Sequence, residues 1–150
     1  MRYIFFLFIL FSVISVKSQN NIKSFQSVIS AEAGEEWVFG KNYKNWQPSD
    51  DDINTAEKLL LQAFEDQKRG TINRLLNKSL DDYDRQFIGA IDESGDKIIW
   101  INLFCKSEEI SFKDWKNKLV FVKDGGKCYF NLKVNITKNI YTDFMVNGEG

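Results

Sequence analysis

Histidine is absent from this chain. That omission removes the Ser-His and Cys-His nucleophile systems and most zinc sites. Proline occurs once and glycine nine times, too little of either for a disordered or linker-rich protein. Neither charge dominates, with 20 basic residues against 21 acidic ones. Nucleic-acid binders concentrate a basic face, so nucleic acid is not an expected partner. No GxSxG, P-loop or dinucleotide fingerprint is present, and neither a repeat nor a low-complexity tract is found. No cofactor is implied. Acids are plentiful enough for a carboxylate-pair hydrolase. They fall in caps, turns and helix faces, where solvation accounts for them, and no pair stands out. The expectation is a non-enzyme with no catalytic and no metal-ligating residues.

Long apolar runs are also missing, with one exception at the start. Tyr3 to Val16 is an apolar run of 14 residues broken by two serines, short of the about 20 that a membrane span needs. Arg2 precedes it, and Val16-Lys17-Ser18 approximates a small-x-small cleavage site. Residues 1–18 therefore read as a signal peptide, with an uncleaved anchor as the alternative. No cysteine stands at the cut, which argues against a lipoprotein anchor. Losing Arg2 and Lys17 takes the formal charge from −1 to −3. The expected protein is secreted or periplasmic, without stable membrane insertion after cleavage. Residues 19–34 read as a loose lead-in and 35–150 as a single α+β domain.

Only two cysteines occur. In an exported chain they read as one disulfide, Cys105–Cys128. The rival is two free thiols or a redox pair, but a spacing of 23 is far from CxxC.

What is present in quantity is strand-like sequence between Arg85 and Val146. Lys97–Lys106 is rich in β-branched and aromatic residues. Its period of two puts Ile99, Ile101, Leu103 and Cys105 on one face, and Ile98, Trp100, Asn102 and Phe104 on the other. Leu119–Lys123 reads as a further strand. Asp124-Gly125-Gly126 then signals a two-residue hairpin into Cys128–Ile136. That register places Leu119 and Phe121 with Cys128, Phe130, Leu132, Val134 and Ile136 on the core face. Gln86–Ile91 and Ile140–Val146 are further strands, and Glu35–Gly40 could be an edge strand. Gly89 inside a strand suggests a bulge or a close approach by another element. Phe112 and Trp115 are expected to plug the crossing between Ser107 and Lys118.

Ser49-Asp50-Asp51-Asp52 is a helix start, a cap followed by acids where the helix dipole is positive. Reading it as a calcium site fails for want of the glycine and distant glutamate of an EF-hand loop. Ile53, Ala56, Leu60, Ala63, Phe64 and Gln67 follow at helical spacing, and Gly70 is a natural stop. A second, shorter helical stretch is suggested by Ile72, Leu75, Leu76, Leu80 and Tyr83. The fold class expected is α+β, an antiparallel sheet of about five strands packed on one main helix.

The functional clue is the second sheet face. If nothing covers it, Trp100, Phe104 and Tyr129 form an aromatic patch that would bind a partner. The competing reading is that the Trp37–Trp46 segment or a second helix covers them. Trp37 and Trp46 themselves either bind something or close one end of a core.

Several motifs resemble a family of small exported proteins of uncharacterised activity found mainly in Bacteroidota. They are Trp46-x-Pro48, Arg85-Gln-Phe-Ile-Gly89, Ile101-Asn102-x-Phe104-Cys105, Trp115, Asp124-Gly-Gly-x-Cys-Tyr-Phe130 and Asn147-Gly148. The resemblance implies export and a scaffold, and it brings no catalytic residue. The order of elements also looks cystatin-like, a fold-level analogy. The Gln-x-Val-x-Gly inhibitor loop of cystatins is absent. The leading expectation is a non-catalytic binding module for an unknown protein or small ligand. A hydrolase inhibitor is the alternative, and a carboxylate enzyme the third.

Overall fold

Helix formation begins where the sequence places it. A computed structural model describes residues 22–30, 36–70, 75, 77–107 and 112–149. The leader expected over 1–18 lies outside them. Ser49 caps α2 (Asp50–Arg69) in a reciprocal pair: its hydroxyl accepts from the Asp52 amide, and the Asp52 carboxylate accepts from the Ser49 amide. Such a box satisfies two donors that a helix start leaves orphaned. Gly70 ends the helix in an extended conformation, φ −68°, so the left-handed freedom of glycine is not used there. No described helix is long and apolar enough to cross a membrane.

The stripe Ile53, Ala56, Leu59, Leu60, Ala63 and Phe64 is buried against one face of a six-stranded sheet. In chain order the strands are β1 (Gln26–Ile29), β2 (Lys44–Asn45), β3 (Tyr83–Ile91), β4 (Lys97–Cys105), β5 (Tyr129–Asn135) and β6 (Ile140–Val146). Spatially β3, β4, β5 and β6 follow one another antiparallel, while β1 runs parallel to β3 and β2 antiparallel to its far end. The fold is α+β, with the alternation of β4 and β5 assigned correctly. Ile99, Ile101, Leu103, Phe130, Leu132 and Val134 all face the helix and are fully buried. Phe130 anchors an aromatic cluster there, with Tyr83 edge-on at 4.9 Å and Phe144 stacked at 5.1 Å. Burial pushes the Tyr83 phenol well above its usual range, helped by nearby Asp82. Its hydroxyl donates to the Lys127 carbonyl at 2.6 Å.

Cys105 and Cys128 are bonded to each other, with Cα atoms 4.8 Å apart. Register explains the fit, because Phe104 lies opposite Tyr129 at the adjoining ends of β4 and β5. The next residues outward are the two cysteines.

Gly89 marks a close approach. A Cβ there would sit 2.5 Å from the Trp46 carbonyl oxygen and 2.7 Å from the Pro48 ring. The segment leading into α2 crosses β3 at a point that admits hydrogen alone. Gly89→Ala is expected to destabilise the fold by about 2–3 kcal/mol, the usual cost of overpacking where backbone must move. A urea midpoint unchanged from wild type would show that the segment yields freely.

Five expectations fail, each for a local reason. The lead-in is not loose throughout, because Gln26–Ile29 forms β1 in parallel register with Arg85–Ile88. Its buried polar residues hid it: Gln26 donates to Glu57 at 2.6 Å and Ser27 to the Lys116 carbonyl at 2.5 Å. The described part of the edge strand expected at Glu35–Gly40 is not a strand: Glu36–Phe39 is a single helical turn, α1, which Gly40 ends at φ +82°. That turn buries Val38 against Ile88 and Trp100. The second helical stretch reduces, among the described residues, to a 3-10 turn at Leu80–Asp82, while Leu75 joins the core and Tyr83 opens β3. Ile72 and Leu76 lie outside the described residues.

The last two failures are linked. Leu119–Lys123 is not a strand, and Asp124-Gly125-Gly126 is not a two-residue hairpin. Side chains take the place of a neighbouring strand: Val120 N–H donates to Gln86 Oε1 at 2.9 Å, and its carbonyl accepts from Asn102 Nδ2 at 2.7 Å. Gly125 and Gly126, both at positive φ, lead instead into a 3-10 turn at Gly126–Cys128. The phase of the segment is reversed as a result. Val120 is buried, Leu119 packs on the Trp100 side of the sheet, and Phe121 points outward.

Candidate functional site

β4 and β5 place Trp100, Phe104 and Tyr129 on the sheet face away from α2, as their parity requires. They are 3%, 0% and 9% exposed, so the face is covered and they form no open patch. The cover has two parts. Trp37 of α1 meets Trp100 edge-on at 5.2 Å. Phe112 and Trp115 meet the Phe104 ring at 5.7 and 5.4 Å, the plug expected of that crossing. Trp46 takes no part. It packs on the helix side, with the Lys97 ammonium 4.7 Å above its ring.

One buried amide holds the crossing in place. Gln86 donates to the carbonyls of Trp115 and Lys118 at 2.6 and 2.7 Å, while its own oxygen accepts from Val120 N–H and Asn102 Nδ2. Both hydrogens and both lone pairs of the side chain are therefore used. From the other end, Asn147 donates to the Val122 and Asp124 carbonyls, and the Gly148 carbonyl accepts from Gly126 N–H.

The two covering pieces touch where Trp37 meets Phe121 edge-on at 5.7 Å. Beside that contact lies a groove of about 520 Å³, lined by Trp100, Tyr129, Asn131, Trp37, Phe121 and Met145. This volume falls in the range of ligand sites. Trp37 is 56% exposed, Phe121 61% and Met145 61%. These three are among the five large exposed hydrophobic side chains of the described residues, and all three border one hollow. Scattered exposed apolar residues are ordinary, whereas a contiguous group marks an interaction site.

Polar groups are few and specific. Trp100 Nε1 donates to Asn131 Oδ1 at 3.2 Å, which fixes the indole on the groove floor. Lys133 pairs with Asp143 at 3.0 Å. Asp143 stands at φ +54° where β6 slips register against Asn131 and Lys133. The bulge re-aims its side chain and interrupts an exposed edge strand, a common device beside binding sites. Next to this groove is a smaller hollow of about 280 Å³ that shares Val38, Lys133 and Asp143 with it. Among the described residues no group of three or more His, Cys, Asp or Glu is placed to hold a metal.

Of the residues singled out in the sequence, Trp37, Trp100 and Tyr129 line the groove, whereas Phe121, expected on the core face, and Lys123, Asp143 and Met145 are brought there by the fold. Leu119–Lys123 offers apolar side chains in both phases, so periodicity had no means of choosing between them. No family model, no curated protein and no solved structure matches this chain.

Proposed function

We propose that the protein is an exported, non-catalytic binding module whose ligand seats in the groove that α1 and the segment at 120–123 border together with β5 and β6. The convergence of Trp37, Phe121 and Met145 on one hollow carries this reading. Export is favoured by the Cys105–Cys128 bond, which suits an oxidising compartment, together with the apolar leader-like start of the sequence. Motif residues behind the resemblance to exported Bacteroidota proteins are in keeping with it. Gln86, Gly89, Asn102, Trp115 and Asn147 all serve the scaffold.

Five described carboxylates are held below their usual range by the bonds of the cap, turns and helix face in which they sit. Hydrogen bonds from Tyr141 and Arg69 hold Asp66 low, Ser94 does the same for Asp92, Lys138 and Asn135 for Asp96, and Asn117 for Asp114. At Asp52 burial opposes the shift, but the Ser49 bonds and Lys97 prevail.

The test compares wild type with the Trp37→Ser/Phe121→Ser double variant in a thermal-shift screen of small organic molecules. Both side chains are largely exposed, so the free variant should lose no more than about 1 kcal/mol. Compounds that raise the wild-type melting temperature should leave the variant's unchanged. A screen without hits, or hits that shift both proteins equally, would remove the groove from the function.

A further inference from the structure

The polar atoms of the groove are unequally matched. Its lining contains two lysines, Lys123 and Lys133, and one acid, Asp143. Asp143 is already engaged by Lys133. Lys123 is exposed and makes no ion pair among the described residues. Asn131 gives its oxygen to Trp100, which leaves its Nδ2 group as a donor at the groove floor. The Val122 carbonyl is occupied by Asn147. Lys123 and Asn131 therefore bring one positive charge and one donor to the groove, in a chain whose net charge is −1. The apolar part consists of aromatic faces and edges: Trp37 lies 5.2 Å from the Trp100 ring and 5.7 Å from the Phe121 ring.

We infer that the groove takes a small aromatic organic anion, its ring system against Trp37, Phe121 and Tyr129 and its acidic group at Lys123 and Asn131. This rests on the groove being the binding site. Aromatic rings pair best offset or edge-to-face, and the exposed rings of Trp37 and Phe121 have surface for such packing. An acidic substituent would complete the one cation of the lining that lacks a counter-charge. A neutral ring of the same shape would use the apolar walls alone.

Two fluorescent probes separate the terms. Anilinonaphthalene sulfonate has a fused ring system and one anion, and N-phenyl-1-naphthylamine is the same skeleton without the sulfonate. Both are titrated into the full oxidised chain, with near-ultraviolet circular dichroism recorded to show that the protein stays folded. The sulfonate should bind one per chain and tighter than its neutral parent. Lys123→Gln should weaken the sulfonate about two- to fivefold, as expected for one exposed charge, and leave the neutral probe's affinity unchanged. Phe121→Ala should weaken both. Equal affinity of the two probes, or indifference of the sulfonate to Lys123→Gln, would overturn the anion inference while leaving the groove standing. Failure of both probes to bind the folded chain, or binding unaffected by Phe121→Ala, would overturn the groove reading itself. One probe per two chains would place the groove in an interface between copies and overturn the inference as well.

Discussion

Replacing Gln86 by leucine is expected to cost about 3–4 kcal/mol, although leucine is the more apolar residue. The glutamine amide serves three backbone groups of the crossing segment, the Trp115 and Lys118 carbonyls and Val120 N–H, as well as Asn102. Leucine would leave them without partners in a buried site, at about 1–3 kcal/mol for each orphaned group before relaxation or water entry. The segment has no strand pairing to fall back on, so its release would also expose Trp115 and Trp100. The melting temperature should fall by roughly 10 °C, and tryptophan emission should shift to the red. A change below 1 kcal/mol with an unaltered near-ultraviolet spectrum would show that the segment is held by its aromatic side chains alone.

Removing the disulfide should have an effect of similar size. The Cys105→Ala/Cys128→Ala variant is expected to lose about 3–4 kcal/mol, from a closed loop spanning 23 positions on the chain-entropy account, whose mechanism is model-dependent. The loop so closed contains Trp115, Val120 and Phe121, which cover Phe104 and wall the groove. The loss should therefore be accompanied by faster amide exchange across 112–124 than across β3 and β4. Matched urea curves for the oxidised wild type and the variant provide the measurement. Equal midpoints, or two thiols alkylated in the oxidised protein without reduction, would refute it.

Gln86 and the disulfide hold one segment, part of which, Leu119–Gly126, reads from sequence as a strand and a hairpin turn. Asp-Gly-Gly beside an apolar run is a hairpin signal because such turns need positive φ, and both glycines do have it. The local conformation was legible, but the pairing partner was not. Gln86 and Asn102 lie opposite each other in register on β3 and β4, and their amides do for Val120 what a neighbouring strand would have done. Nothing in the sequence near Leu119–Lys123 announces that its hydrogen bonds are met from 18 and 34 positions away.

β1 was missed in the same way, its buried Gln26 and Ser27 satisfied by Glu57 and the Lys116 carbonyl across long sequence distances. α1 was missed because a single helical turn is too short to show its period. By contrast α2, β4 and β5 were readable, since a capped 20-residue helix and two alternating strands each repeat their signal many times. The residues alone determined the amphipathic helix, the core face of the sheet, the bonded cysteine pair and the exclusion of histidine chemistry, because composition and short-range periodicity carry those properties. Only the tertiary structure decided that the second face is covered, that Phe121 points outward, and that a groove opens beside Trp37. Those outcomes depend on which side chains meet across the sheet, and that is settled by packing rather than by spacing along the chain.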